Sequence, residues 1–223
     1  MLRDKAGRGT DSGPVTAPRR LRAVRPAAPG PAPAGHGMSP VPRPFRIAVE
    51  SLAAVPHRTG VTLSEVPSPK SAAPFSVSLE GETLDCPAGE RAHGRFMLLF
   101  DPDPRAEWGS SFRVVTFVRA DLDESMGNDP LLSAVAWDWL TDALHAAGAE
   151  HERIGGHATR VLKESFGELA GSQPMLDVEL RASWTPRGGL GAHLEAWQSV
   201  LASFAGLPPE LNGAAPLPGV RFT

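Results

Sequence analysis

Leu176-Asp-Val-Glu-Leu-Arg-Ala-Ser-Trp184 alternates without a break. Leu176, Val178, Leu180, Ala182 and Trp184 fall on one side of an extended chain. Asp177, Glu179, Arg181 and Ser183 fall on the other. A period of two marks a β-strand with one face in a core and one in water. Antiparallel sheets tolerate such a wet face, whereas all-parallel sheets are covered on both sides. The mixed charges of Asp177, Glu179 and Arg181 predict a solvated surface or a polar contact site. The centre of an apolar dimer interface would be depleted of charge.

Working outward, the same logic assigns the neighbours. Ser111–Asp121 is the longest predicted strand, and neither of its faces is fully polar, which suits a central position. Arg95–Asp101 is apolar on both faces and is also predicted to be central. Phe75, Val77 and Leu79 alternate with Ser76, Ser78 and Glu80, and Val61–Val66 forms a short strand before Pro67. His151–Ile154 and Thr159–Phe166 flank Gly155-Gly156, a hairpin turn or a bulge. Three helices complete the pattern. One starts at Pro44, carries Phe45, Ala48, Val49 and Leu52, and stops by Pro56. A second follows an Asp129 cap and Pro130, with Leu131, Leu132, Val135, Ala136, Trp139 and Ala143 in its stripe and Trp139 near the centre. The third carries Leu190, Leu194, Trp197, Leu201 and Phe204, and Gly206 stops it. Crossovers between parallel strands need more helices than this. The fold expected is α+β: a mainly antiparallel sheet with three helices on one face, in the order α-ββββ-α-ββ(β)-α.

Composition bounds the rest. The chain has 223 residues, 41% hydrophobic and 21% charged, the profile of one globular domain. It has no apolar run long enough for a membrane helix and no secretory h-region, so a cytoplasmic location is expected. One cysteine, Cys86, excludes a disulfide framework. Residues 1–44 hold eight Arg/Lys against two Asp, a balance of +6, with nine Pro and six Gly; residues 45–223 balance at −9. The domains expected are a disordered basic extension over 1–43, one α+β domain over 44–210, and a loose tail over 211–223. Met38 reads as a second possible translation start. A folded part at −9 makes direct nucleic-acid contact unexpected, because such contact needs Lys/Arg to neutralise phosphates.

Candidate chemistry is sparse. There is no G-x-S-x-G elbow, and neither Ser165 nor Cys86 has a base beside it in sequence. His145, His151 and His157 are six apart, which fits neither one helix face nor one strand face, so no metal site is expected. Asp101 and Asp103 form an Asp-x-Asp that hard cations favour and that turns also use. With Arg119 and His145 they make the best available polar set for a hydrolase-like site. Gly188, Gly189 and Gly191 precede the last helix, where backbone N–H groups attract anions, but the dinucleotide and phosphate-loop fingerprints are missing. His193 lies on the edge of that helix's apolar stripe. Trp137, on a helix flank, is a candidate interface residue. No cofactor is expected.

The segments RFMLLFDPDP, SFRVVTFVRADLDESM, NDPLLSAVAWDWLTDAL, ESFGELA, VELRASWTP and AHLEAWQSVLASFAGLPP together resemble an actinobacterial family of uncharacterised proteins, the domain of unknown function number 3000. The resemblance spans most of 44–210 and implies a cytoplasmic-type protein of about this length. It brings no activity, cofactor or functional residue. The function expected is therefore a non-catalytic binding or adaptor module whose partner is another protein, with contacts through Trp137, Asp177, Glu179 and Arg181. The alternatives are a hydrolase-like enzyme built on Asp101, Asp103, Arg119 and His145, and an RNA-associated protein.

Overall fold

The computed structural model describes residues 41–69, 71–84, 91–122, 130–164, 166–169 and 175–208. The expectations for residues 1–40, Met38, Cys86, the Asp129 cap, Ser165 and the 211–223 tail lie outside these residues. The chain begins with α1 (Arg43–Ala53), whose first turn carries Pro44 and which buries Phe45, Ala48 and Leu52. Strands β1 (Val61–Val66), β2 (Phe75–Thr83), β3 (Arg91–Arg105) and β4 (Ser110–Leu122) follow, then α2 (Leu132–Ala146), β5 (His151–Lys163), β6 (Met175–Pro186) and α3 (Leu190–Phe204). The strands make one six-stranded sheet in the order β1-β2-β3-β4-β6-β5, antiparallel at every pairing. The fold is α+β with the predicted element order, two strands and not three between the last two helices. Among the described residues no helix is long and apolar enough to cross a membrane.

Register explains the core. The even-numbered residues Phe96, Leu98, Phe100, Val114, Val118, Ala120, Leu176, Val178, Leu180, Ala182 and Trp184 share one face with the buried side chains of all three helices. Helix α3 lies closest. Trp197 is fully buried and packs on Phe96 at 5.8 Å between ring centroids. Beneath the indole two glycines face each other across β2 and β3, Gly81 and Gly94. A Cβ on Gly81 would stand 2.7 Å from both Trp197 and Leu201, and one on Gly94 would strike the Phe117 carbonyl and Trp197. The missing side chains are what let the helix sit down on the sheet.

Three local expectations change. The second helix begins at Leu132, two residues after Pro130, and Leu131 is 63% exposed. Its buried stripe is Leu132, Ala136, Leu140 and Leu144. Trp139 is half-buried at the side, edge-on to Phe204 at 5.2 Å. Residues spaced by four, one of them alanine, let α2 approach β6 and α3, and the indole is left at the margin. Gly155-Gly156 is no hairpin turn but lies within one strand and pairs with Ser183 and Ala182; the bulge falls just before it, at Arg153-Ile154, where the pairing with β6 shifts and Arg153 takes φ +51°. A side chain on Gly156 would strike the Arg181 carbonyl, so close strand approach explains that glycine. Finally, Asp177, expected on the wet face, is 1% exposed.

Leu140→Ala should cost about 2–5 kcal/mol, the range for a buried leucine. Trp139→Ala should cost roughly 1–3 kcal/mol, because the indole is only partly buried at the margin of the core. Urea melts in which Trp139→Ala proved clearly the more damaging of the two would return the indole to the centre of the helix face.

Candidate functional site

The odd-numbered residues of β3, β4, β5 and β6 form the face that no helix covers among the described residues. Register arranges them in rows. Glu80, Arg95, Phe117, Arg181 and His157 stand side by side across five strands. The next row is Glu82, His93, Arg119, Glu179 and Thr159. The one after it is Arg91, Asp121, Asp177 and Val161. At the centre the Arg181 guanidinium lies 4.7 Å from the Phe117 ring, and His93 meets the same ring edge-on at 6.1 Å.

The charges form a connected network. Arg119 donates to Asp177 in a short hydrogen bond and lies 3.7 Å from Glu179 and 3.9 Å from Asp121. Lys163 reaches Asp177 at 2.5 Å, and Glu179 also meets Arg181 at 3.5 Å. Asp177 is thus roofed by the side chains of Lys163 and Arg119, with no helix above it. Burial opposes its charge, but the hydrogen bonds from Lys163 and with Asp121, and the charge of Arg119, outweigh burial and hold it below the usual carboxylate range. Its Oδ1 has no hydrogen-bond donor among the described ionised groups. The Asp121 carboxyl can supply one only when protonated, and its hydrogen bond to Asp177, with some burial, raises Asp121 above the ordinary range. The ionisation of each carboxyl therefore bears on that of the other, raising Asp121 and lowering Asp177.

The hydrolase-like set is dispersed. Arg119 pairs with His93, and Asp101 lies eight residues further along β3, about 27 Å away at 3.4 Å per residue. Asp101 accepts from the Asp103 N–H at 3.1 Å and from Arg105 Nε at 2.8 Å, local contacts at the end of β3 where the pairing with β4 is irregular; the Arg105 hydrogen bond lowers its pKa. His145 is exposed in the last turn of α2, on the helical side of the sheet. Among the described residues no three His, Cys, Asp or Glu side chains gather to hold a metal ion. Gly188 and Gly189 are exposed before α3, but the Gly191 N–H is taken by Ser51 Oγ at 3.2 Å, and a side chain there would press on Val55. Trp137 is half-buried against the core.

His193 is fully buried. Trp184 Nε1 donates to its Nδ1 at 3.1 Å, and its Nε2 lies 3.3 Å from the Arg187 carbonyl. Those partners fix one neutral tautomer, with the proton on Nε2. Burial is the main cause that lowers its pKa; the Arg187 carbonyl acts against it.

With this geometry in place the comparisons can be read. The family described as Protein of unknown function (DUF3000) matches residues 41–214. The chain belongs to that family. No curated protein and no solved structure matches it. The match covers every helix and strand described, so DUF3000 membership extends over the sheet and its open face. Sequence reasoning had placed Glu179 and Arg181 on that face. It missed Phe117, Arg95 and His93 as their row-mates, because which strands lie side by side is written in the pairing and not in any one segment.

Two measurements follow. His193 binds fewer protons folded than unfolded, so stability rises with pH and is lost as pH falls below about 6.5. His193→Gln should flatten the fall between pH 7 and pH 5, which can reach about 1.4 kcal/mol per pH unit for one group. Equal slopes for both proteins in denaturant melts would exclude His193 as the source. For the acid pair, Asp177→Asn should let Asp121 titrate lower, followed by carboxyl NMR. An unchanged Asp121 titration would mean that the two ionisations do not bear on each other.

Proposed function

We propose that the chain is a non-catalytic binding module, that its contact surface is the open sheet face, and that its partner is another protein presenting carboxylates. The observation that carries this is the row Arg95-Phe117-Arg181. A half-buried aromatic ring lies between two arginines at the middle of a sheet face that no helix covers among the described residues. Aromatic and arginine side chains supply most of the energy at protein contacts, and they do so near the centre. Arg95 makes no ion pair among the described residues and is free to meet a partner's carboxylate. The chemistry-bearing residues elsewhere support the same reading, since the Asp101 carboxylate, the Gly191 N–H and the His193 ring are engaged in local β3 contacts, helix packing and core hydrogen bonds.

The enzyme reading now rests on a different pair. Asp121 and Asp177 are two carboxyls pushed apart in pKa, as general acid chemistry requires. Asp177 is 1% exposed, however, and touches no substrate unless Lys163 and Arg119 move off it.

The test compares wild-type chain with Arg95→Glu/Arg181→Glu in affinity purification from native cells. Arg181 is exposed, and Arg181→Ala or Glu179→Ala should change stability by no more than about 0.5 kcal/mol. A protein recovered with the wild type should fall about tenfold or more with the double variant while the melting temperature holds. Unchanged recovery would remove the open face from the contact. A metal-dependent hydrolysis abolished by Asp101→Ala would overturn the non-catalytic reading itself.

A further inference from the structure

The sheet has two edges, and they are built differently. Strand β5 runs 13 residues, bends at its bulge and carries Arg153, Arg160 and Lys163. Bulges and charges of this kind discourage pairing with another strand. Strand β1, Val-Thr-Leu-Ser-Glu-Val, has no bulge, no proline and no lysine.

The direction of its backbone groups follows from one hydrogen bond. Leu84 N–H donates to the Gly60 carbonyl at 2.9 Å, one step beyond the Val61–Thr83 pair. Hydrogen-bonded and non-hydrogen-bonded pairs alternate in an antiparallel ladder. Thr62, Ser64 and Val66 therefore turn their N–H and C=O toward β2, and Val61, Leu63 and Glu65 turn theirs away. The Val61 N–H is taken by the Arg58 carbonyl at 3.0 Å. The N–H and C=O of Leu63 and Glu65 have no partner among the described residues.

Beside this edge lies a cleft of about 160 Å³ between β1, α1 and α3. Leu52, Val55, Leu63, Val77, Leu79 and Leu194 line it, with His57 and Glu65 among its polar walls. An apolar cavity of roughly 150 Å³ takes a molecule the size of benzene. Glu65 has no ion-pair partner among the described residues. Side chains of Leu63 and Glu65 point to the same face of the sheet, the one that holds the cleft.

We propose that β1 and this cleft form a strand-addition site for an extended peptide segment of a partner protein. Its backbone bonds to Leu63 and Glu65, one aliphatic or phenyl side chain enters the cleft, and a Lys or Arg two residues away meets Glu65. The spacing of two follows from the strand period, and the cation from the carboxylate. Main-chain bonds give affinity in this mode and the pocket gives selectivity. The site lies apart from the Arg95-Phe117-Arg181 row and stands or falls separately from it.

The experiment selects displayed random octapeptides against the full chain and measures the winners as synthetic peptides by fluorescence anisotropy. Enriched peptides should place an apolar residue and a Lys or Arg two apart. Glu65→Pro removes an outward N–H and no bond to β2, and Ala53→Trp fills the cleft from α1. Each should weaken binding about tenfold or more, as should N-methylation of the peptide backbone. Arg95→Glu/Arg181→Glu should leave it unchanged. Glu65→Lys, which keeps the N–H, serves as the check on folding and should reverse the preferred charge. Selection that enriches no such pattern, or binding indifferent to Glu65→Pro and Ala53→Trp in folded variants, would overturn the proposal.

Discussion

Trp197 reaches the sheet because Gly81 and Gly94 give it nothing to strike. Much of the remaining architecture hangs on that approach. A helix seated this deeply is surrounded, and α3 accordingly buries Ala196, Val200 and Ala202 as well as its sheet-facing side. The other two helices then pack on α3 as much as on the strands. Gln198, buried on α3, accepts from the Arg58 N–H at 2.8 Å and donates to the Pro56 carbonyl at 3.2 Å, which ties the turn after α1 to the helix. The Ser51 bond to Gly191 holds α1 against the start of α3. One cost remains in this arrangement: the Trp197 Nε1 is buried and has no acceptor among the described residues.

The three α-helices among the described residues are spent on one side, and that decides the character of the other. A sheet face without a helix must satisfy its own side chains. The rows do this by pairing charge with charge along β4, β6 and β5, with Arg119 and Glu179 each touching more than one partner. Exposed ion pairs of this type add little stability individually. Their effect here is positional: Glu179 holds Arg181, which lies over the Phe117 ring, and Asp177 holds Arg119 in the neighbouring rows. Asp177 is the exception in depth, buried by neighbours that are themselves half in water.

Much of this was legible in the sequence. The six-strand, three-helix order followed from periods of two and of 3.6, since the alternation of Leu176–Trp184 and the two-faced apolarity of β3 each have one structural meaning. What escaped depended on neighbours distant in the chain. Gly155-Gly156 suits a turn and a bulge equally in sequence, whereas pairing with β6 keeps both glycines in the strand and puts the bulge at Arg153-Ile154. Alternation put Asp177 on the face away from the core, correctly, but its burial comes from Lys163 on β5 and Arg119 on β4. In the second helix the large indole was taken as the centre of the stripe, whereas smaller residues at 132, 136, 140 and 144 allow the closer approach. The cleft beside β1 leaves no sequence signal, because four separate segments contribute its walls.

The frame around the open face is also tied at its far end. Arg153, at the β5 bulge, donates to the carbonyls of Ala106 and Glu107 in the turn between β3 and β4, and Arg113 bonds Ser183, Thr185 and the Arg153 carbonyl. Thr185 in turn donates to the Trp108 carbonyl. The hairpin tip is therefore bound to β5 and β6 at one end of the sheet, and Asp177 binds β4, β5 and β6 together at the other. A contact surface held at both ends loses little freedom when a partner arrives. Ordering of side chains and loops is a principal cost of association, and a face already fixed by its own hydrogen bonds has met most of that cost in folding. If the open face is the contact surface proposed above, its charge network contributes through rigidity, which is the role that its weak individual energies leave to it.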